Sequence, residues 1–297
     1  MNSHLIYDVG GHLGEDTDFY LRKGFSVVTI EANPVLAEKL RERFQSDLSN
    51  GSLVLVDAAI AENTGEVDFY INRALTIWGT IRPEWAERNA ALVGNSAELI
   101  KVKSTCFSDV LCQHGVPYYL KIDIEGADLL CLQCLAEKQD KPRFVSIESE
   151  KKSWHALLEE FELFEKLGYS RFKIVDQKNI DRQKPPEPAS EGSYVQYRFE
   201  PGSSGLFGEE LPGKWLTRSQ ALRRYRLIFL GYRIFGDSGI LRILLKVPGM
   251  RKALPRTAES DSSKSSTASN ENKGRPSKLR RIREKLRSPW YDTHATI

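Results

Sequence analysis

Between residue 5 and about residue 200 the chain alternates between two hydrophobic patterns. Short, largely apolar runs (Leu5 to Val9, Ser26 to Ile30, Val54 to Ala59, Tyr118 to Ile124, Phe144 to Glu148) have the length and β-branched content of buried strands. The stretches between them space apolar residues by three and four, as amphipathic helices do. Ser153 is a good N-cap for a helix running to Leu167 and stopped by Gly168. Further strands are expected at Val67 to Ile71, Val102 to Cys106, Phe172 to Val175 and Tyr194 to Phe199, and a helix at Phe107 to His114. The Pro-, Glu- and Lys-rich insertion Gln183 to Gly192, between the last two strands, reads as a mobile loop. This order implies an α/β fold with a mostly parallel, doubly wound sheet and a ligand over the C-terminal strand ends.

The first such unit, YDVGGHLGEDTDFYLRKGFSVVTIEANP (residues 7–34), narrows the ligand. A strand ends in Asp8-Val9, a glycine turn follows (Gly10, Gly11, Gly14), and the next strand ends in Glu31. Glu31 follows Asp8 by 23 residues, near the roughly 20-residue spacing at which an acid meets ribose hydroxyls. A dinucleotide fold uses its second glycine to bring backbone to a pyrophosphate, but His12 stands there, and Asp8 adds a carboxylate. Both are wrong for a phosphate. They suit S-adenosylmethionine, which carries an ammonium and a sulfonium and no phosphate.

Composition adds limits. The chain is 40% hydrophobic with a net charge of +3, so no global field suggests nucleic acid, which is not an expected partner. Residues 251–288 nevertheless hold twelve Lys/Arg against four Asp/Glu. No apolar run approaches the roughly 20 residues needed to span a bilayer. The first residues enter a strand directly, so no signal peptide is expected, and four cysteines suggest reduced thiols in a cytoplasmic setting. Cys131 and Cys134 form a C-x-x-C on one helical face and read as core residues; no metal site is expected.

Three regions are expected: 1–200 for the cofactor-binding domain, 201–250 for a loop and basic amphipathic helical extension, and 251–297 for a basic tail. Residues 218–247 mix Arg with large apolar residues at helical spacing, as a helix covering the core or a segment lying peripherally on the inner membrane surface. Residues 256–277 are expected to be disordered, and Lys278 to Arg287 to form a short helix before the closing WYDTHA.

Four segments resemble one family. DVGGHLG resembles the DVGAN-x-G opening of FkbM-type S-adenosylmethionine-dependent methyltransferases, and EANP their E-P-N-P. DAAIAENTGEVDFY resembles their third-strand segment, and LKIDIEGAD their K-x-D-x-E-G-x-E signature. SGLFGEELPGKWL and WYDTHA are similar to segments of a bacterial subgroup. His12 departs from the family's Asn and Ala32 from its Pro. The resemblance covers about residues 5 to 200. It implies a class I methyltransferase (Rossmann-like) fold, with an antiparallel last strand, that methylates a hydroxyl oxygen on a sugar, polysaccharide or secondary metabolite.

Carried onto this chain, the resemblance gives Asp8 the methionyl ammonium, Gly10 a close approach of backbone to cofactor, and Gly14 the packing of helix on strand. Glu31 receives the ribose hydroxyls, and Asp57 beside the small Ala58 receives the adenine amino group. Lys121, Asp123 and Glu125 alternate on a strand that should be apolar throughout, which points to chemistry at its C-terminal end. Asp123, Glu125 and His12 are candidate bases for activating a hydroxyl, with Glu148 a further candidate; Lys121 could tune their pKa or hold an anionic acceptor. Trp78 and Trp85 could stack on a sugar ring or pack in the core. Two competing classes are an NAD-dependent oxidoreductase on the same fold and a non-catalytic, membrane-associated binding module. Nothing in the sequence indicates the oligomeric state.

Overall fold

The computed structural model describes residues 1–71, 79–93, 97–149, 153–200, 202–235 and 290–297. The elements in order are β1 (Asn2–Val9), α1 (Glu15–Arg22), β2 (Ser26–Glu31), α2 (Pro34–Arg43), α3 (Gln45–Asn50), β3 (Leu53–Asp57), β4 (Ala59–Ile60), β5 (Gly65–Ile71), α4 (Pro83–Val93) and β6 (Glu98–Thr105). They continue with α5 (Phe107–His114), β7 (Pro117–Ile122), α6 (Asp128–Leu135), β8 (Phe144–Glu148), α7 (Trp154–Lys166), β9 (Arg171–Asp176), α8 (Arg218–Phe235) and β10 (Tyr291–Thr296). The chain divides into two compact units, Met1–Leu222 with Trp290–Ile297, and Arg223–Pro289. Trp78, residues 256–277 and Lys278 to Arg287 lie outside the described residues.

In the first unit, seven strands form one sheet in the order β3-β2-β1-β7-β8-β10-β9. All neighbours are parallel except β10, which runs antiparallel to both β8 and β9. The chain winds outward from β1 to β3 and then restarts at β7 on the other side of β1. Right-handed crossovers therefore put the helices of the two halves on opposite faces. The switch point falls between β1 and β7, where a ligand crevice opens. The strands carry buried apolar residues on both faces: Leu5, Ile6, Tyr7 and Val9 in β1 are at most 6% exposed. A smaller sheet, β4-β6-β5, stands apart. Chain direction into α2 is set by Asn33, whose side chain accepts from Val35 N at 3.0 Å, followed by Pro34 in the first turn.

Several sequence expectations are corrected. Tyr194 to Phe199 is not a strand; its alternate residues Val195, Tyr197 and Phe199 pack on the core, with Phe199 and Tyr197 4.8 and 4.9 Å from Phe19. The place beside β9 is taken by β10, at the end of the chain, in residues expected to belong to the basic tail. The Gly- and Pro-rich segment 201–217, expected to lie outside the domain, contributes Leu206, Phe207 and Leu211 to the core; Phe207 stacks on Tyr119 at 4.6 Å. The insertion expected to be mobile is pinned. Ser193 N bonds Lys23 O at 2.8 Å, Tyr118 Oη donates to Glu191 at 2.9 Å, and Glu191 N to Glu210 at 3.2 Å. The expected strand Val54 to Ala59 breaks after Asp57, where β4 leaves for the small sheet, and β7 ends at Ile122 rather than Ile124.

Candidate active site

The C-terminal ends of β1, β2 and β7 open into one cleft with about 830 Å3 of empty space, counting the part open to solvent. One wall is apolar, formed by Ile30, Leu36, Ala58, Ile60 and Phe69. The other is polar and mostly acidic, with Glu15, Asp16, Glu31 and Asp123 around Lys121. An apolar wall beside clustered carboxylates suits a ligand with an apolar end and a cationic, hydroxylated end.

Glu31 closes β2 and is 7% exposed. Its two oxygens each accept one backbone amide, from Asn33 N and from His12 N, both at 2.8 Å. These bonds fix the plane of the carboxylate. A carboxylate oxygen accepts more than one hydrogen bond, so each is left able to take a second donor from the cleft, as two adjacent hydroxyls would supply. Burial pushes the Glu31 carboxyl up to about 7, against the pull of the two amides.

Asp8 behaves differently from its expected role. It is fully buried and does not line the cleft. Thr17 Oγ1 donates to one of its oxygens at 2.6 Å and Lys121 Nζ to the other at 2.9 Å. Lys121 also donates to Gly10 O at 3.0 Å and lies 3.7 Å from Asp16. Burial works against the Lys121 ammonium, but Asp8, Asp16 and Asp123 outweigh it and hold its pKa well above the usual lysine range. Lys121 is therefore a fixed cation, not a base, and its reach is spent on the chain's own oxygens. Of the two acids nearest Lys121, Asp8 and Asp16, it is Asp16 that lines the cleft. Ser204 N donates to both its oxygens, at 2.9 and 3.0 Å. Burial, opposed by Lys121, raises its carboxyl to about 6.

The turn between β1 and α1 excludes a phosphate. The amides of Gly10 and Gly11 both donate to Ile30 O, at 2.9 and 3.1 Å, so neither is turned to the cleft. The first turn of α1 carries Glu15, Asp16 and Asp18, which fill the helix N-terminus with negative charge. Gly10 has φ 89°, and a Cβ there would sit 2.0 Å from Asp123 O. The approach it permits is thus to the loop after β7. Gly14, at φ 83°, makes room for Leu40 of α2 and for Phe44 just after it, rather than for a strand. His12 lines the cleft in the left-handed region at φ 49°, with Nδ1 3.1 Å from Glu15 Oε1. Burial opposes the Glu15 charge, but the bond and charge of His12 hold its carboxyl below the usual range.

On the far side of the cleft, the expected alternation of Lys121, Asp123 and Glu125 fails because β7 has already ended. Asp123 N makes the last ladder bond, to Val9 O at 2.9 Å, and its exposed side chain lines the cleft beside Lys121. Glu125 has φ 48° and is turned aside, with Arg88 Nη2 3.5 Å away. Burial, then Glu148 and Asp123, push the Glu125 carboxyl well above the usual range, with Arg88 opposing. Trp85 covers Gly126, where a Cβ would come within 2.5 Å of Nε1, and stacks under Arg88 at 3.9 Å. Asp57 also misses its expected place: it accepts from Arg41 at 2.7 Å, whereas its neighbour Ala58 lines the cleft.

A model of the methyltransferase FkbM domain matches residues 8–171, more than half of the chain. The chain belongs to the FkbM methyltransferase family. Its sheet is that of the class I methyltransferase fold, mostly parallel with an antiparallel strand near one edge. Among solved structures, methyltransferase FkbM of Methylobacillus flagellatus KT is 16% identical with a TM-score of 0.40, over 59% of this chain and 40% of that one. Precorrin-6y C5,15-methyltransferase of Geobacter metallireducens GS-15 is 12% identical with a TM-score of 0.34, over 59% of this chain and 68% of that one. No curated protein matches the sequence.

Within this FkbM family member, the sequence reading missed Asp16, Glu15 and Thr17. All three lie in EDTD at the start of α1, where acids favour the helix dipole whatever else they do. The available signal was that three acids and a threonine directly follow a ligand-binding turn.

Proposed function

We propose that the chain is an S-adenosylmethionine-dependent O-methyltransferase acting on a hydroxyl of a carbohydrate or secondary metabolite. The observation that carries this reading is Glu31. Its plane is fixed by two amides at the end of β2, and it faces a cleft whose turn offers no amide to a phosphate. Glu31 receives the ribose hydroxyls, and Ala58, Ile60 and Leu36 flank the adenine. Asp16, not Asp8, faces the methionyl ammonium, while Asp8 and Thr17 hold Lys121 in place.

When bound, the cofactor supplies an electrophilic methyl group on a sulfonium sulfur. The chain's contribution is to align the acceptor oxygen, keep water away and remove the hydroxyl proton. Asp123 is the acid at the end of β7 that lines the cleft, and it takes that proton. Glu125 is unsuited, because it is turned aside toward Arg88 and does not line the cleft. A second reading gives the proton to His12. The His12 ring lines the cleft, with Nδ1 3.1 Å from Glu15 Oε1.

The test is turnover with a panel of sugars and other hydroxyl-bearing acceptors, following release of S-adenosylhomocysteine. Asp123→Asn keeps cofactor affinity and lowers turnover by roughly 100-fold or more. Unchanged turnover in this variant, with loss in His12→Asn, moves the base to His12. Absence of any S-adenosylmethionine-dependent product with acceptors of every hydroxyl class contradicts the proposed reaction.

A further inference from the structure

We propose that α8 is a peripheral anchor that lies on an anionic lipid bilayer surface. Its eighteen residues hold five arginines and no acid. One face is buried: Ala221 and Tyr225 are at most 1% exposed, and Ile228, Phe229 and Tyr232 are half-buried. The opposite face is not. Leu227 is 71% exposed and Leu230 54% exposed, one turn apart on a single ridge. At 100° per residue, exposed Arg224 flanks that ridge on one side and Arg226 and Arg233 on the other, with Arg223 one turn before Leu227. A helix that only covered a core would bury its large apolar residues and leave this ridge polar.

Two leucines between arginines form the pattern of an interfacial helix. The apolar side chains enter the acyl boundary while the guanidinium groups stay with lipid phosphates. No helix among the described residues is long and apolar enough to cross a membrane, so this helix would lie on the surface rather than span it. Further along the sequence, residues 251–288 add a surplus of eight positive charges, which attracts the same surface. The charge disfavours a second copy of this chain as the occupant, since a two-fold contact would set arginines against arginines. Nucleic acid is disfavoured too, because the aromatic residues of α8 for which burial is described lie off the ridge and offer bases no platform.

The test is co-sedimentation of the full-length protein with vesicles. One set is phosphatidylcholine alone and the other is phosphatidylcholine mixed with phosphatidylglycerol. The protein should partition onto the anionic vesicles, less so as salt rises, and not onto the neutral ones. The double variant Leu227→Glu/Leu230→Glu, checked for an unchanged circular dichroism spectrum, should lose at least roughly ten-fold in partitioning. Arg223→Gln and Arg224→Gln should each lose roughly five-fold. No binding to anionic vesicles overturns the proposal. So does full binding by the leucine variant, which would assign the attraction to the basic tail alone. Binding to a duplex DNA at least as tight as to vesicles would assign the surface to nucleic acid and also overturn it.

Discussion

Lys121 of β7 donates to Asp8 of β1 at 2.9 Å, with side-chain exposures of 6% and 0%. The two most charged positions of these neighbouring strands are therefore spent on each other. This pair bolts the switch point of the sheet together and holds Gly10 O at the same time. It also explains why the cleft presents Asp16 instead of Asp8.

Removing one partner of such a pair leaves an uncompensated buried charge. Lys121→Met should destabilise the protein by about 3–5 kcal/mol in denaturant unfolding. Adding Asp8→Asn to that variant should recover part of the loss, because a neutral amide then replaces the carboxylate that has lost its cation. A Lys121→Met protein as stable as the parent would mean that the pair is not formed.

The Glu31 carboxyl, raised to about 7 by burial, has a defined pH signature. An acid whose folded pKa exceeds its unfolded value binds more protons folded than unfolded. Its contribution is fully favourable below the unfolded value, near 4.5, and is lost as pH rises to about 7. The stability of Glu31→Gln relative to the parent, without ligand, should therefore improve between these two values and level off above. Thermal melts of both proteins across that range measure it, and a difference independent of pH would contradict the burial argument.

The final strand of the sheet is also testable. Thr293 is fully buried in β10 between Ile147 of β8 and Ile174 of β9. Proline there removes a ladder donor in a central position, so Thr293→Pro should cost roughly 3 kcal/mol or more. Ile297→Pro, one residue past the strand and 61% exposed, should change little. Equal stability of both variants would mean that β10 does not complete the sheet.

What the sequence made legible was local. Glu31 could be placed because the strand, turn, helix and strand that position it are contiguous, and each has its own signal. β10 could not, because it pairs across a separation of more than 100 residues and its alternation is no stronger than that of Tyr194 to Phe199. The latter has the period of a strand, but it uses that period to set Val195, Tyr197 and Phe199 on the core. Asp123 and Glu125 were assigned to one face on the assumption that β7 continued. The left-handed conformation of Glu125 and Gly126 ends the alternation and separates the two acids. The sequence points to Asp57 as the cleft-facing residue, whereas its neighbour Ala58 lines the cleft, because the cleft's side of a strand end is set by register rather than by composition.

The most direct test of the account is calorimetric titration of the protein with S-adenosylmethionine, S-adenosylhomocysteine and NAD. The two sulfur ligands should bind and NAD should not. Glu31→Ala should abolish binding and Asp16→Asn should weaken it at least roughly ten-fold, given the worth of a buried charge-assisted contact. Asp57→Ala should leave it within about two-fold, since Asp57 touches Arg41 and not the cleft. Binding of NAD, or unchanged binding of the sulfur ligands to Glu31→Ala, would contradict the assignment of this cleft.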